Sequence, residues 1–358
     1  MSSPIPEEFA DFLSAKTSIV LPISSLSVMY FVYGFYILLF GACIYTNFSR
    51  QRPVGEQPNS RLYLSLTLTL FVLATVYVVA YTIEVVSRSI VFFTVLETRN
   101  YRLLVNYLLH DSEKTAVFTL EDMSSVLLNI AADWMLIHRC YVIWSSKKRV
   151  GVPLVVASLG TNALGLIAAI IQAVAIADTS TDSAHSLYLL GNTLNAGYLI
   201  SSAIVNSLIT LLTAGRIWWI HRQVRDHGVH SSDRLVQRVS VIILESGILY
   251  PIAIIVNLIV VNSTDGVPPP FDMAPIVVLV AGIAPTMIIV RAKLGSNVGS
   301  LQDQVSDIRF TSQQAHREGR SQTHVYSIGN LSVATRDIEG EYEDRTGMHR
   351  EAKEAIAV

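Results

Sequence analysis

Long apolar runs separated by short polar breaks decide the fold class of this chain. A helix crossing the roughly 30 Å hydrocarbon core of a bilayer needs about 20 mostly apolar residues. Seven stretches meet that length: 24–46, 62–86, 123–144, 152–177, 187–217, 236–261 and 271–290. They predict an all-α membrane protein, a seven-transmembrane helix bundle over 24–294, with the lipid bilayer as its first partner. The fifth run exceeds what a crossing requires, so it tilts or protrudes. Between the second and third runs, residues 90–96 and 103–109 are apolar but short, and Arg88, Glu97, Arg99 and Arg102 interrupt them. That segment predicts a protruding helix end and an interfacial helix rather than an eighth crossing.

Charge sets the expected orientation. Lys and Arg in short loops mark the cytoplasmic side. One side of the predicted bundle carries Arg50, Arg52, Arg61, Lys147, Lys148, Arg149, Arg216, Arg222, Arg225, Arg234, Arg238, Arg291 and Lys293. The other carries Lys16, Arg88, Arg99, Arg102 and Lys114, four of them in the long loop. The basic side is therefore expected in the cytoplasm. An odd number of crossings then puts the N-terminal segment, 1–23, outside and the tail, 295–358, in the cytoplasm. The tail is polar and lacks helical periodicity, which predicts disorder. Its Ser306, Thr311, Ser312, Ser321 and Ser327 are candidate phosphorylation sites.

Composition narrows the function classes. Hydrophobic residues make up 51% of the 358-residue chain and charged residues 15%, well below the roughly 25% usual in soluble domains. The net charge of −2 offers no basic field for nucleic acid. The two cysteines, Cys43 and Cys140, fall in or beside apolar runs and predict no disulfide. No Cys/His cluster has zinc-site spacing, and nothing in the sequence asks for a metal or a cofactor. The start lacks the basic segment of a cleaved signal peptide, so insertion is expected to rest on the first crossing. Of the glycosylation sequons, Asn47 and Asn330 fall on the cytoplasmic side and Asn262 in a very short outer loop, so all three are expected unmodified.

Candidate chemistry lies where polar groups are costly. A charged residue at the centre of a crossing costs about 2.5–3.5 kcal/mol on insertion scales. Asp133, mid-way along span three, and Glu245, read as mid-way along span six, are such residues. Asn129 shares a helix face with Asp133 at i, i+4. In span five, Asn192, Asn195, Ser202, Asn206 and Thr213 keep one face. Asn162 in span four and Glu84 in span two can reach the same interior. The candidate pocket is thus Glu84, Asn129, Asp133, Asn162, Asn192, Asn195 and Glu245. Each of these has an ordinary reading as well, an interhelical hydrogen bond that only holds the bundle together. Arg139 lies at a depth similar to that of Glu245, so the two can form a latch between spans three and six; alternatively Arg139 snorkels to lipid phosphate. Pro251 and Pro285 interrupt spans six and seven, where bends serve either as hinges or as fixed packing features. The switch candidates are Arg139, Glu245, Pro251 and Pro285.

Four motifs stand in order: DWMLIHRCYVIW at 133–144, GRIWW at 215–219, ILESGILYP at 243–251 and AGIAPTMIIVRAKLG at 281–295. Together they resemble a large family of uncharacterised seven-span membrane proteins from mushroom-forming fungi, over residues 25–295. The resemblance implies a fungal source and the same bundle, and supplies no ligand. There is a looser architectural likeness to G-protein-coupled receptors, with departures. His138 stands before Arg139 where those receptors carry an acid, and Ala284 precedes Pro285 where they carry Asn.

Three functions are consistent with these features. The first is receptor-like signalling in the plasma membrane, with a small-molecule ligand in the bundle and a cytoplasmic signalling partner. The second is a transporter or channel using buried carboxylates. The third is an intramembrane enzyme of terpene-cyclase type with Asp133 and Glu245 as its acid pair.

Overall fold

Backbone amides have no water to bond inside a bilayer, so an apolar crossing closes its hydrogen bonds within itself as a helix. The structure, a computed structural model, describes residues 16–48, 60–177, 182–226, 233–263 and 269–291, and among them there is no strand. Asn330, the tail from 295 and the extreme N-terminus therefore lie outside the described residues.

A short π-helical turn, Lys16–Val20, leads into α1, Leu21–Phe48. The remaining helices are α2, Ser60–Thr98; α3, Tyr101–His110; α4, Ser112–Ile143; α5, Lys148–Ala177; α6, Asp182–Asp226; α7, Asp233–Ser263; and α8, Ala274–Arg291. All but α3 contain a segment long and apolar enough to cross a membrane, which is the make-up of a multi-pass membrane protein. The ends of the seven long apolar helices, α3 excluded, alternate between a basic end, marked by Arg61, Lys147–Arg149 and Arg291, and an opposite end.

The segment after span two forms an extension of that helix and a separate short helix, and it adds no further segment long and apolar enough to cross. α2 continues through Thr98, about 58 Å at 1.5 Å per residue, before the chain breaks. Arg99 ends it in the left-handed region, φ 53°. The side chain of Asn100 then accepts from the amide of Arg102 and starts α3. Asp111 caps α4 in the same way, accepting from the amides of Glu113 and Lys114. α4 thus begins eleven residues before the predicted start at 123, because an acidic cap favours a helix start before the apolar run begins. α6 spans 45 residues, about 68 Å, and overshoots a bilayer as its long apolar run predicts.

The bundle is polar at its heart and apolar outside. Phe31, Leu38, Tyr45, Leu159 and Val156 are among the most exposed side chains, as lipid contact allows. α8 is the most enclosed crossing. Its Val277, Leu279 and Ile283 pack in one cluster with Met29 and Tyr36 of α1, Tyr77 and Val85 of α2, Met135 of α4 and Ile254 of α7. A second cluster joins Ile137 and Cys140 of α4 to Leu154 of α5 and Ile209 of α6. Cys43 and Cys140 are buried free thiols.

Candidate functional site

Four helices bring polar side chains to the middle of the bundle, and Asp133 of α4 is their centre. Its Oδ2 accepts from Ser158 Oγ at 2.7 Å and from Asn162 Nδ2 at 3.0 Å, both on α5. Its Oδ1 accepts from Asn206 Nδ2 of α6 at 3.1 Å. All three partners donate, which suits the acceptor-only carboxylate. One turn along α4, Asn129 Nδ2 donates to Tyr198 OH at 2.8 Å and to Ser202 Oγ at 2.9 Å on α6. Ser202 Oγ in turn shares a hydrogen bond of 3.1 Å with Tyr250 OH of α7. Asp133 is 1% exposed and Asn129 3%, so this is a buried, continuous network linking α4, α5, α6 and α7.

The network borders a cavity of about 10 Å³, room for one water. Asn129, Asn206, Gly247, Tyr250, Ala281 and Pro285 are among the residues that line it. Asn129 Oδ1, fully buried, has no hydrogen-bond partner among the described residues. Two more acceptors arise from covalent structure. Proline has no amide proton, so Pro251 gives none to the carbonyl of Gly247, four residues before it in α7. Pro285 likewise gives none to the carbonyl of Ala281 in α8. The two helices that carry the prolines therefore meet the network at one water-sized point, through the residues whose carbonyls lack their usual donors.

The other predicted residues separate from this centre. Glu84 pairs with Arg88 on its own helix at 3.1 Å. Near that end of the bundle, Tyr81 OH donates to Asp272 Oδ2 at 3.0 Å, while the Asp272 amide donates to Ser25 Oγ at 2.8 Å. These bonds tie α1 and α2 to the start of α8. Asn192 is exposed and Asn195 half-buried, and neither joins the Asp133 network. Only the middle of the span-five seam, Ser202 and Asn206, does; Thr213 Oγ1 donates to the Ile209 carbonyl of its own helix at 2.7 Å.

The expected Arg139–Glu245 latch is not formed. Glu245 Oε2 accepts from Arg291 Nη1 at 2.9 Å, and its side chain is 64% exposed. Its partner, Arg291, is the last described residue of α8 and follows the apolar run 274–290, so the pair sits toward the basic end. The run 236–261 places Glu245 midway by count alone, whereas its ion pair with Arg291, the basic residue that closes the apolar run of α8, places it toward the basic end. The acid pair needed for cyclase chemistry is not assembled either, since Asp133 is buried and Glu245 exposed. An exposed ion pair contributes about 0–1 kcal/mol. Glu245→Gln and Arg291→Gln are each expected to shift thermal unfolding in detergent by only a degree or two. A large loss in either would return Glu245 to the interior.

Arg139 instead lies with its guanidinium 5.3 Å from the ring centroid of Tyr63 on α2. Tyr63 OH bonds His138 Nδ1 at 3.0 Å. One arginine nitrogen, Nη1, is buried with no hydrogen-bond partner among the described residues. Arg139 therefore links α4 to α2, not to α7.

Ser158, Tyr198 and Tyr250 complete the network but were not singled out in the sequence. Ser158 stands at i, i+4 from Asn162 in span four, the one local signal from which it could have been found. No family model, no curated protein and no solved structure matches the chain.

Proposed function

We propose that the chain is a receptor-like signalling protein of the plasma membrane, with its N-terminus outside and its basic end, including the tail, in the cytoplasm. The lysine and arginine bias between the two ends supports the orientation. The observation that carries the reading is the meeting of the Asp133 network with both proline-bearing helices at one water-sized cavity. A water there would have Asn129 Oδ1 and the carbonyls freed by the two prolines as its candidate acceptors. α7 and α8 then have alternative partners for the same acceptors, which is what two discrete packings require. A small-molecule ligand in the bundle would bias one packing, and a cytoplasmic partner would read the outcome at the basic end. The resemblance to the fungal seven-span family is compatible with this reading and adds no ligand to it.

Spin labels test the two-state core. With Ser146→Cys in the α4–α5 turn and Leu244→Cys on α7, distance measurements in nanodiscs are expected to give two populations. Asp133→Asn and Pro285→Ala are expected to change their ratio. A single narrow distance, unmoved by either substitution, would overturn the proposal.

A second reading has one observation in its favour: the donors around Asp133 are all neutral, and a lone mid-membrane carboxylate is what a proton or cation route uses. Proton or sodium flux in liposomes that disappears in Asp133→Asn would establish a transporter in place of the receptor.

A further inference from the structure

We infer that the surface of the bundle between the basic-end halves of α4 and α5 is a binding site for one anionic phospholipid. A groove of about 440 Å³ opens there, within the size range of small-ligand sites. Trp134, His138 and Tyr141 form its α4 wall, and Val152 and Val156 its α5 wall. Gly151 shapes the floor: a Cβ at that position would stand 2.8 Å from the Tyr141 ring. The glycine thus lets the Cδ2 edge of the ring press against the α5 backbone, and the space beside it stays open. Trp134, Val152 and Val156 are 53%, 57% and 62% exposed, so the groove faces the lipid.

Its chemistry selects the occupant. The walls are apolar except at one end, where Lys148 closes the groove. Lys147, Lys148 and Arg149 follow one another at that end, all exposed. A hydrocarbon slot capped by Lys148, with Lys147 and Arg149 beside it in the chain, complements an acyl chain ending in a phosphate with net negative charge. Basic pockets between crossing helices bind anionic headgroups in this way. A zwitterionic lipid fits the slot but gains less from the cap. The site also reaches the helix interior: His138, which lines it, bonds the Tyr63 hydroxyl, and Arg139 lies over the Tyr63 ring. A lipid seated here touches the contact that joins α4 to α2. The inference is independent of the orientation proposed above, because the basic end is defined by the structure.

Native mass spectrometry of the full chain tests it, with phosphatidylserine and phosphatidylcholine of identical chains added to delipidated protein. Wild type is expected to retain one phosphatidylserine in preference to phosphatidylcholine. Lys148→Gln is expected to weaken that retention about fivefold, and Lys148→Arg to preserve it. Val152→Trp, at an exposed wall position, is expected to fill the slot and reduce both lipids. Thermal unfolding of each variant verifies that it is folded. Equal retention of the two lipids by wild type would overturn the inference. So would an unchanged phosphatidylserine preference in the variant with Lys147, Lys148 and Arg149 all replaced by Gln, or displacement of phosphatidylserine by a sterol regardless of Lys148.

Discussion

Replacing Asp133 with leucine is expected to destabilise the bundle by about 3–5 kcal/mol, the largest loss of any single polar substitution in the core. Two effects act in the same direction. In the folded protein, Ser158, Asn162 and Asn206 each lose an acceptor. A buried donor left without a partner costs about 1–3 kcal/mol. The sum stays below three full penalties because the amides have a fallback. Asn162 Nδ2 also donates to the Ser158 carbonyl, and Asn206 Nδ2 to that of Ser202. The second effect lies in the reference state. With the helices inserted but separated, Asp133 faces lipid at a cost of about 2.5–3.5 kcal/mol. Leucine removes that cost from the separated state alone, so the folded state loses ground. Asp133→Asn is expected to cost about 1 kcal/mol, since its amide oxygen keeps two donors and its amide nitrogen faces the Asn206 amide. Reversible unfolding in mixed micelles measures both. Leucine equal to or milder than asparagine would show that Asp133 does not organise the four helices.

Much of this site was legible because helical spacing survives in sequence. Asp133 and Asn129 were paired by an i, i+4 count, and Asn162 by depth in span four; all three belong to the network. Depth is harder to read than face. Glu245 carries the same charge as Asp133 and stands in an equally apolar run, yet it lies at the basic end against Arg291. What sequence lacked was the partner, a residue 46 positions away on another helix. Asn192 and Asn195 keep the stripe in sequence, yet with α6 still packed on α5 beside them, Gly191 against Gln172, they bond neither Asp133 nor Asn129. Tyr198 and Tyr250 look like ordinary aromatic residues of an apolar run, and only packing shows that their hydroxyls close the network. The cavity was legible in part: both prolines were read as bends. That Gly247 and Ala281 meet across it is a fact of helix packing alone.

Gly247 carries the second large expectation, and it concerns the seam between α6 and α7. A Cβ built on Gly247 would collide with the side chain of Thr210, Oγ1 at 2.6 Å and Cβ at 3.1 Å. Real Cβ contacts do not come this close, so any side chain here must push the two helices apart or turn Thr210 aside. Small residues at helix contacts let backbones approach in membranes, where packing replaces the hydrophobic drive. Gly247→Ala is therefore expected to cost about 1–3 kcal/mol, and Gly247→Val more, because its branched Cβ cannot rotate away. Helix propensity acts the other way, favouring alanine over glycine by about 1 kcal/mol in a helix interior. Overpacking is expected to win, since the clash involves an atom close to the Thr210 backbone and not the tip of a flexible chain. The double variant separates the two effects. Thr210→Ala removes Oγ1 and Cγ2, the nearest atoms, and leaves only the Cβ contact. In a mutant cycle, Thr210→Ala is expected to restore most of the stability lost in Gly247→Ala, with a coupling of about 1–2 kcal/mol. Gly247 also lines the network cavity, so Gly247→Val should alter the spin-label populations, whereas the rescued double variant should return them toward wild type. Additive losses in the cycle would mean that α6 and α7 do not pack through this contact. A full rescue of stability with the populations still displaced would instead locate the switching element at Gly247 itself, where the proline-freed carbonyl meets the Asp133 network.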